Sequence, residues 1–166
     1  PEDVVVIAVP SYGGRVPGPV VKRLRMMKGN GAKAILVCVY GNRAYEDTLV
    51  ELQDAAERAD CRIIAAVAAI AEHSIVRQYA AGRPDEQDQK QLREFARRIQ
   101  EKLSSENFAE PKIPGNRPYK RSSGGGIVPK TSRDCTECGV CARQCPVQAI
   151  DLKDPSNTDK KSVSPV

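Results

Sequence analysis

Tryptophan is missing from this sequence, and aromatic residues fill only 4% of its 166 positions. Large rings dominate ligand-binding and base-stacking surfaces, so the chain is weakly equipped for either. Long apolar runs are missing too. The longest, residues 63–71, has nine positions, against the roughly 20 that span a bilayer. No charged start followed by an apolar stretch and a small-residue cleavage site is present. Neither membrane insertion nor secretion is expected, and a cytoplasmic location is. Charge imbalance is small as well. The net +5 lies mostly between 104 and 133, where six basic residues face Glu106 and Glu110. Basic residues confined to one connector, with few aromatics, do not argue for nucleic acid.

Cysteine is what stands out. Four of the six lie within eleven residues, from Cys135 to Cys145. A disulfide framework spreads its cysteines to staple distant loops, whereas such crowding marks a metal site.

Apolar residues, 40% of the chain, suffice for a core and fall in patterns. Residues 3–9, Asp-Val-Val-Val-Ile-Ala-Val, are β-branched and bounded by Pro10, which predicts a strand buried on both faces. Val20, Leu24 and Met27 have helical spacing over 19–27. A second buried strand is expected over 34–40 and a helix over 45–60, with Leu49, Leu52, Ala56 and Ala59 on one face. A third strand is expected over 62–65. Pro84 opens a helix to 103 with Leu92, Phe95, Ala96, Ile99 and Leu103 aligned. Strands alternating with amphipathic helices imply a parallel sheet with crossover connections. From 104 to 133 four prolines and four glycines replace periodicity, which reads as an extended, Pro-stiffened linker lying on one or both domains. The tract Gly124-Gly125-Gly126 neither follows a strand nor precedes a helix, so it is no phosphate loop.

Cys135-x2-Cys138-x2-Cys141-x3-Cys145-Pro146 is the full bacterial-type iron–sulfur spacing. Three closely spaced thiolates can wrap a cubane, Gly139 leaves room where the chain passes it, and Pro146 turns the backbone away after the fourth cysteine. A structural zinc site is the alternative, but zinc ligands usually form two Cys-x2-Cys knuckles separated by a longer loop. In two-cluster ferredoxins the fourth cysteine of a run ligates the other cluster, and no cysteine follows Cys145. Cys38 and Cys61 fall in or beside strands and read as buried thiols. The chain as written carries half of a two-cluster module.

Three further segments fall after the predicted strands. They are Ser11-Tyr12-Gly13-Gly14, then Gly41 and Asn42 with Tyr45, and then His73. In open α/β sheets ligands bind outside these carboxyl ends, where an aromatic can stack on a flat ring while amides bond its edge. Turn residues with glycines at positive φ are the plain alternative. His73 reads as a surface histidine rather than a catalytic base.

Several blocks carry a family resemblance. Val-Pro-Ser-Tyr-Gly-Gly-Arg-Val-Pro at 9–17 and Val-Tyr-Gly-Asn-Arg-Ala-Tyr-Glu-Asp at 39–47 resemble the flavin loops of flavodoxins. With Ala-Glu-His-Ser-Ile at 71–75, Pro-Lys-Ile-Pro-Gly-Asn-Arg-Pro at 111–118 and the Cys run, the chain resembles the flavodoxin–ferredoxin fusions called ferrodoxins. The resemblance implies an α/β fold in three parts. A partial flavodoxin-like parallel sheet with covering helices spans 1–103, a basic linker 104–133, and an incomplete bacterial ferredoxin-type iron–sulfur domain 134–166. It implies [4Fe-4S] ligation by Cys135, Cys138, Cys141 and Cys145. FMN is its candidate second cofactor in the intact protein, at Ser11, Tyr12, Gly13, Gly14, Gly41, Asn42 and Tyr45. The family's first strand and phosphate loop are not in the sequence, and neither end is expected to be natural. Ser162-Val-Ser-Pro-Val can be encoded AGT-GTA-TCT-CCT-GTN, which read two bases on gives Cys-Ile-Ser-Cys, so a frameshift or a truncated gene end is expected to have removed the second Cys run. The expected function is one-electron transfer between redox partner proteins rather than catalysis on a substrate of its own. A flavin-dependent reductase wired by its clusters is the alternative, and a zinc-stabilised binding module a more distant one.

Overall fold

A computed structural model describes residues 3–105, 109–121, 128–160 and 162–163. The Gly124–Gly126 tract and Ser164–Val166 of the tail lie outside them. The chain divides into two compact units, Pro1–Ser122 and Ser123–Val166.

The first unit is a three-stranded parallel sheet with helices. Its elements run β1 (Val4–Pro10), α1 (Gly18–Leu24), β2 (Lys33–Tyr40), α2 (Thr48–Arg58), β3 (Arg62–Ile70) and α3 (Glu86–Leu103). Strand order is β1-β2-β3, with Val4 opposite Lys33 and Cys38 opposite Ala68. Pro10 closes β1, a position where the missing N–H costs no ladder bond inside a central strand. One face of the sheet carries the main core. There Ile7, Val9, Ala34, Leu36, Cys38 and Ile63 meet Leu24 of α1 and Leu49, Leu52, Ala55 and Ala56 of α2. On the other face Ile35 and Ile64 pack with Ile99 and Leu103 of α3.

The register of β2 on β3 shifts between Ala34 and Ile35, so Ala34 faces Ile63 but Ile35 faces Ala65. Such a bulge sets two residues against one. Ile63 and Ile64 enter opposite cores by ordinary strand alternation, at 2% and 0% exposure, while the bulge sets Ile64 and Ala65 on the same face. β3 continues to Ile70, five residues past the expected end.

β1 departs from the expectation of burial on both faces. Val4 and Val6 are 45% and 59% exposed. The cause is coverage: α1 and α2 lie over Val5, Ile7 and Val9, while α3 packs against β3 and Ile35, at the far side of the opposite face. α3 starts at Glu86 rather than Pro84 because Asp85 caps it. Asp85 accepts from the Asp88 amide at 2.9 Å, and Asp88 accepts in return from the Asp85 amide at 3.0 Å. This reciprocal box satisfies two otherwise orphaned donors. The Arg83 guanidinium pairs with Asp88 and holds its carboxyl down to about 2.

The second unit is built around one short helix, α4 (Val140–Gln144). Beyond it, among the described residues, an antiparallel bridge joins Ile150 to Thr158. Ala142, Ala149 and Pro155 are buried, and Val140, Val147 and Leu152 are 45%, 51% and 59% exposed.

Candidate functional site

The loops after β1 and β2 are bonded to each other. Tyr12 and Arg15 exchange two backbone hydrogen bonds at 3.1 Å around Gly13 and Gly14, whose φ values are 59° and 80°. The Asp47 amide donates to the Gly14 carbonyl at 3.1 Å. A Cβ on Gly14 would stand 2.7 Å from the Cβ of Glu46, so the second loop fills the space a side chain would need. The Ser11 and Thr48 hydroxyls are 2.7 Å apart. Tyr45 stands edge-on to Tyr40 with ring centroids 5.2 Å apart, and Tyr12 is 38% exposed. Gly41 lies against His73, where a Cβ would come within 2.7 Å of the His73 Cβ. Asn42 is exposed, with φ 59°. The His73 Nδ1 accepts the amides of Ile75 and Val76 at 3.2 and 3.1 Å, so its ring caps a local turn.

Part of the Pro-rich connector is fastened over these loops. Asp47, 1% exposed, accepts the Asn116 amide at 2.8 Å, the Asn116 side chain at 3.0 Å and the Lys120 amide at 2.6 Å. The Lys120 and Asn116 amides hold the Asp47 carboxyl below its ordinary value, because hydrogen bonds to the ionised form favour it. Arg117 pairs with Asp54 and lowers its carboxyl likewise, and the Tyr119 hydroxyl donates to the same Asp54. Arg15 makes two bonds of 2.7 Å to Glu51, donates to the Lys120 carbonyl at 2.6 Å, and lies 4.9 Å above the Tyr119 ring. Glu51 also takes the Val16 amide at 2.9 Å. Ile113 joins the main core, and Gly115 sits where a Cβ would come 2.8 Å from the Cβ of Val50.

The Cys run occupies α4 and its two flanks. Gly139 precedes the helix at φ 70°, and a Cβ there would meet the Arg143 guanidinium at 3.0 Å and Leu152 at 3.4 Å. Arg143 donates to the Cys138 carbonyl at 2.8 Å. The Val140 amide, and after it the Thr136 hydroxyl, hold the Cys138 thiol below its ordinary value. On the other flank the Cys145 thiol accepts the Ala149 amide at 3.3 Å. That amide, and after it the one of Val147, lower the Cys145 thiol. Cys135, Cys138 and Cys141 are exposed and Cys145 partly so. Among the described residues no three His, Cys, Asp or Glu side chains converge as a metal-binding group. The amide donors of Cys138 and Cys145 come from separate segments, 138–140 and 147–150. Four thiols, backbone amides aimed at two of the sulfurs and a glycine where a side chain would crowd the run are the donor chemistry that thiolate-ligated iron requires.

Cys38 and Cys61 are 0% and 7% exposed. Burial pushes the Cys38 thiol up to about 12 and raises Cys61, as for inert thiols in apolar surroundings. Sequence reasoning did not single out Asp47, Asp54, Arg15 and Glu51. Asp47, Glu51 and Asp54 lie in or beside α2 and Arg15 in the loop after β1, but their partners lie as far as 105 residues along the chain.

Residues 129–151 match the 4Fe-4S binding domain family, so the second unit carries a ferredoxin-type 4Fe-4S domain. Neither a curated protein nor a solved structure matches the chain. Among the described residues no helix is long and apolar enough to cross a membrane.

Proposed function

We propose that the protein is a one-electron carrier in which Cys135, Cys138, Cys141 and Cys145 hold [4Fe-4S] iron and exchange electrons with redox partner proteins. The observation that carries this reading is the Cys run lying wholly within residues 129–151, the stretch similar to the 4Fe-4S binding domain family. When bound, such a cluster cycles between two charge states by one electron. The chain's own part is electrostatic. Backbone amides on Cys138 and Cys145 stabilise the thiolates, and exposure of Cys135, Cys138 and Cys141 leaves the run open to a partner.

The proposal takes 1–103 as a partial flavodoxin-like domain, 104–133 as the connector and 134–166 as the iron–sulfur domain. The parallel order β1-β2-β3, with α1 and α2 on one face and α3 on the other, supports the first assignment. FMN in the intact protein would fall to Ser11, Tyr12, Gly13, Gly14, Gly41, Asn42 and Tyr45. In favour of it, all of these lie on the loops after β1 and β2.

Iron, acid-labile sulfide, zinc and flavin per chain, measured after anaerobic purification, test both parts. Iron and sulfide in equal amounts, with an absorbance band near the visible that bleaches on reduction, are expected. Zinc without sulfide overturns the cluster assignment. Absence of flavin overturns the FMN assignment alone.

A further inference from the structure

Charge in the first unit is sorted along the chain. Residues 4–45 hold seven basic residues and no acidic one, while 46–60 hold six acidic residues against Arg58. Glu46, Asp47, Glu51 and Asp54 of that acidic stretch are bonded to Arg15 and to residues 116–120. The cations of α1 and the turn after it have no such partners. Lys22, Arg23, Arg25 and Lys28 are exposed, and among the described residues none of them makes an ion pair. Lys22 and Arg23 lie in the last turn of α1, where cations suit the helix dipole. Arg25 and Lys28 lie beyond that turn, so the dipole does not account for them.

Met26 stands among these cations at 76% exposure. Lys22 precedes Arg25 and Met26 by three and four residues, which makes them neighbours on one side of the helical winding. The turn is held in place from beneath. The Gly29 amide donates to the Ala59 carbonyl at 2.6 Å and the Gly31 amide to the Asp60 carbonyl at 2.7 Å. A Cβ on Gly29 would come within 2.4 Å of the Cys61 sulfur, so the turn sits directly on the end of α2. Leu24 is buried in the main core, with Val20, Val21 and Met27 packed against it. The apolar side of α1 is therefore already used, which leaves no apolar stripe for a membrane surface. No aromatic residue lies between Tyr12 and Tyr40, so the face has no ring on which a single-stranded base could stack.

A preorganised cationic face with an apolar side chain at its middle matches the small, electrostatically steered interfaces of transient redox complexes. Arginine and methionine are enriched in interface centres, and methionine adapts to varied partners. We propose that Lys22, Arg23, Arg25 and Lys28, with Met26 between them, form the docking face for an acidic redox protein. The cations steer the encounter and Met26 supplies the contact that holds it. The choice of a redox protein rests on the electron-carrier reading above, whereas the sign of its charge rests on this face alone.

The full chain, purified anaerobically and with its iron and sulfide measured, is tested for association with two probes, an acidic bacterial ferredoxin and a basic cytochrome. Binding of the ferredoxin is expected, with an association rate that falls steeply between about 0.01 M and about 0.15 M salt, and no binding of the cytochrome is expected. Reversing two charges in Arg23→Glu/Arg25→Glu is expected to slow association about tenfold or more and to leave dissociation nearly unchanged. Met26→Ala is expected to speed dissociation about threefold or more, with association unchanged. Lys90→Glu/Arg93→Glu makes the same change in net charge on α3, which packs on the other face of the sheet. Its association rate is expected to stay within about twofold of the wild type. No binding of the ferredoxin, equal binding of the cytochrome, or equal losses from the α1 and α3 variants overturns the docking face. Tighter binding of an RNA oligonucleotide or of phosphatidylserine vesicles, abolished by the α1 reversal, replaces the acidic protein with that partner. Wild type without iron or sulfide overturns the electron-carrier reading, and the charge dependence of binding is still read independently. The thermal transition of the first unit, unchanged in every variant, reports that the chain has folded.

Discussion

At Gly13 and Gly14 two adjacent residues share a positive φ but differ in surroundings. Nothing lies within 4 Å of a Cβ built on Gly13, whereas one on Gly14 runs into Glu46. Gly13→Ala therefore bears only the left-handed backbone cost, about 1 kcal/mol. Gly14→Ala adds overpacking and is expected to lose roughly 2–4 kcal/mol. Urea unfolding measures both, and equal losses would show that Glu46 yields freely. The same distinction of surroundings separates the cysteines. Cys38 lies in a sheet core with its thiol pushed up to about 12, while amides lower those of Cys138 and Cys145. One residue type is thus a small hydrophobe in the first unit and, at Cys138 and Cys145, an amide-stabilised thiol in the second.

The segment 109–121 has neither helix nor strand, yet it is held as firmly as an element by carboxylates of the α2 region. Asp47 and Asp54 are both lowered in the folded state from an ordinary value of 3.8. Their stabilisation is present above that value and is lost as pH falls through the lowered ones. Asp47→Asn is expected to cost about 1–3 kcal/mol near neutral pH, since it weakens bonds to buried amides. Its stability is also expected to fall less between pH 5 and pH 2 than that of the wild type. Urea midpoints across that range check this, and parallel losses in the two proteins would dissociate Asp47 from the clamp. This clamp was not legible in the sequence. Asp47 and Asn116 are 69 residues apart, and proline and glycine in 111–118 signal only that a regular element is absent. The strands were legible because their apolar runs are local. The exception was the length of β3, where small alanines after Ile64 hid its continuation to Ile70.

Taken whole, the chain joins a unit stabilised by a packed sheet to one with very little core. Removing iron with a chelator under reducing conditions is therefore expected to unfold the second unit and leave the first unit's cooperative melt in place. Loss of both transitions together would mean the two do not fold independently. The Cys run was fully legible because its spacing is itself the chemistry. The open face of β1 was not, because a run of valines looks the same whether one side or two are covered. The neighbouring isoleucines of β3 carry a consequence for the register of the sheet. Ile63 and Ile64 each fill a slot on opposite sides of the sheet, with Arg62 before them and alanine after. Sliding β3 by one residue in either direction would bring arginine into a fully enclosed slot or leave an isoleucine-sized hole. β3 therefore has a single alignment open to it, fixed by two neighbouring side chains.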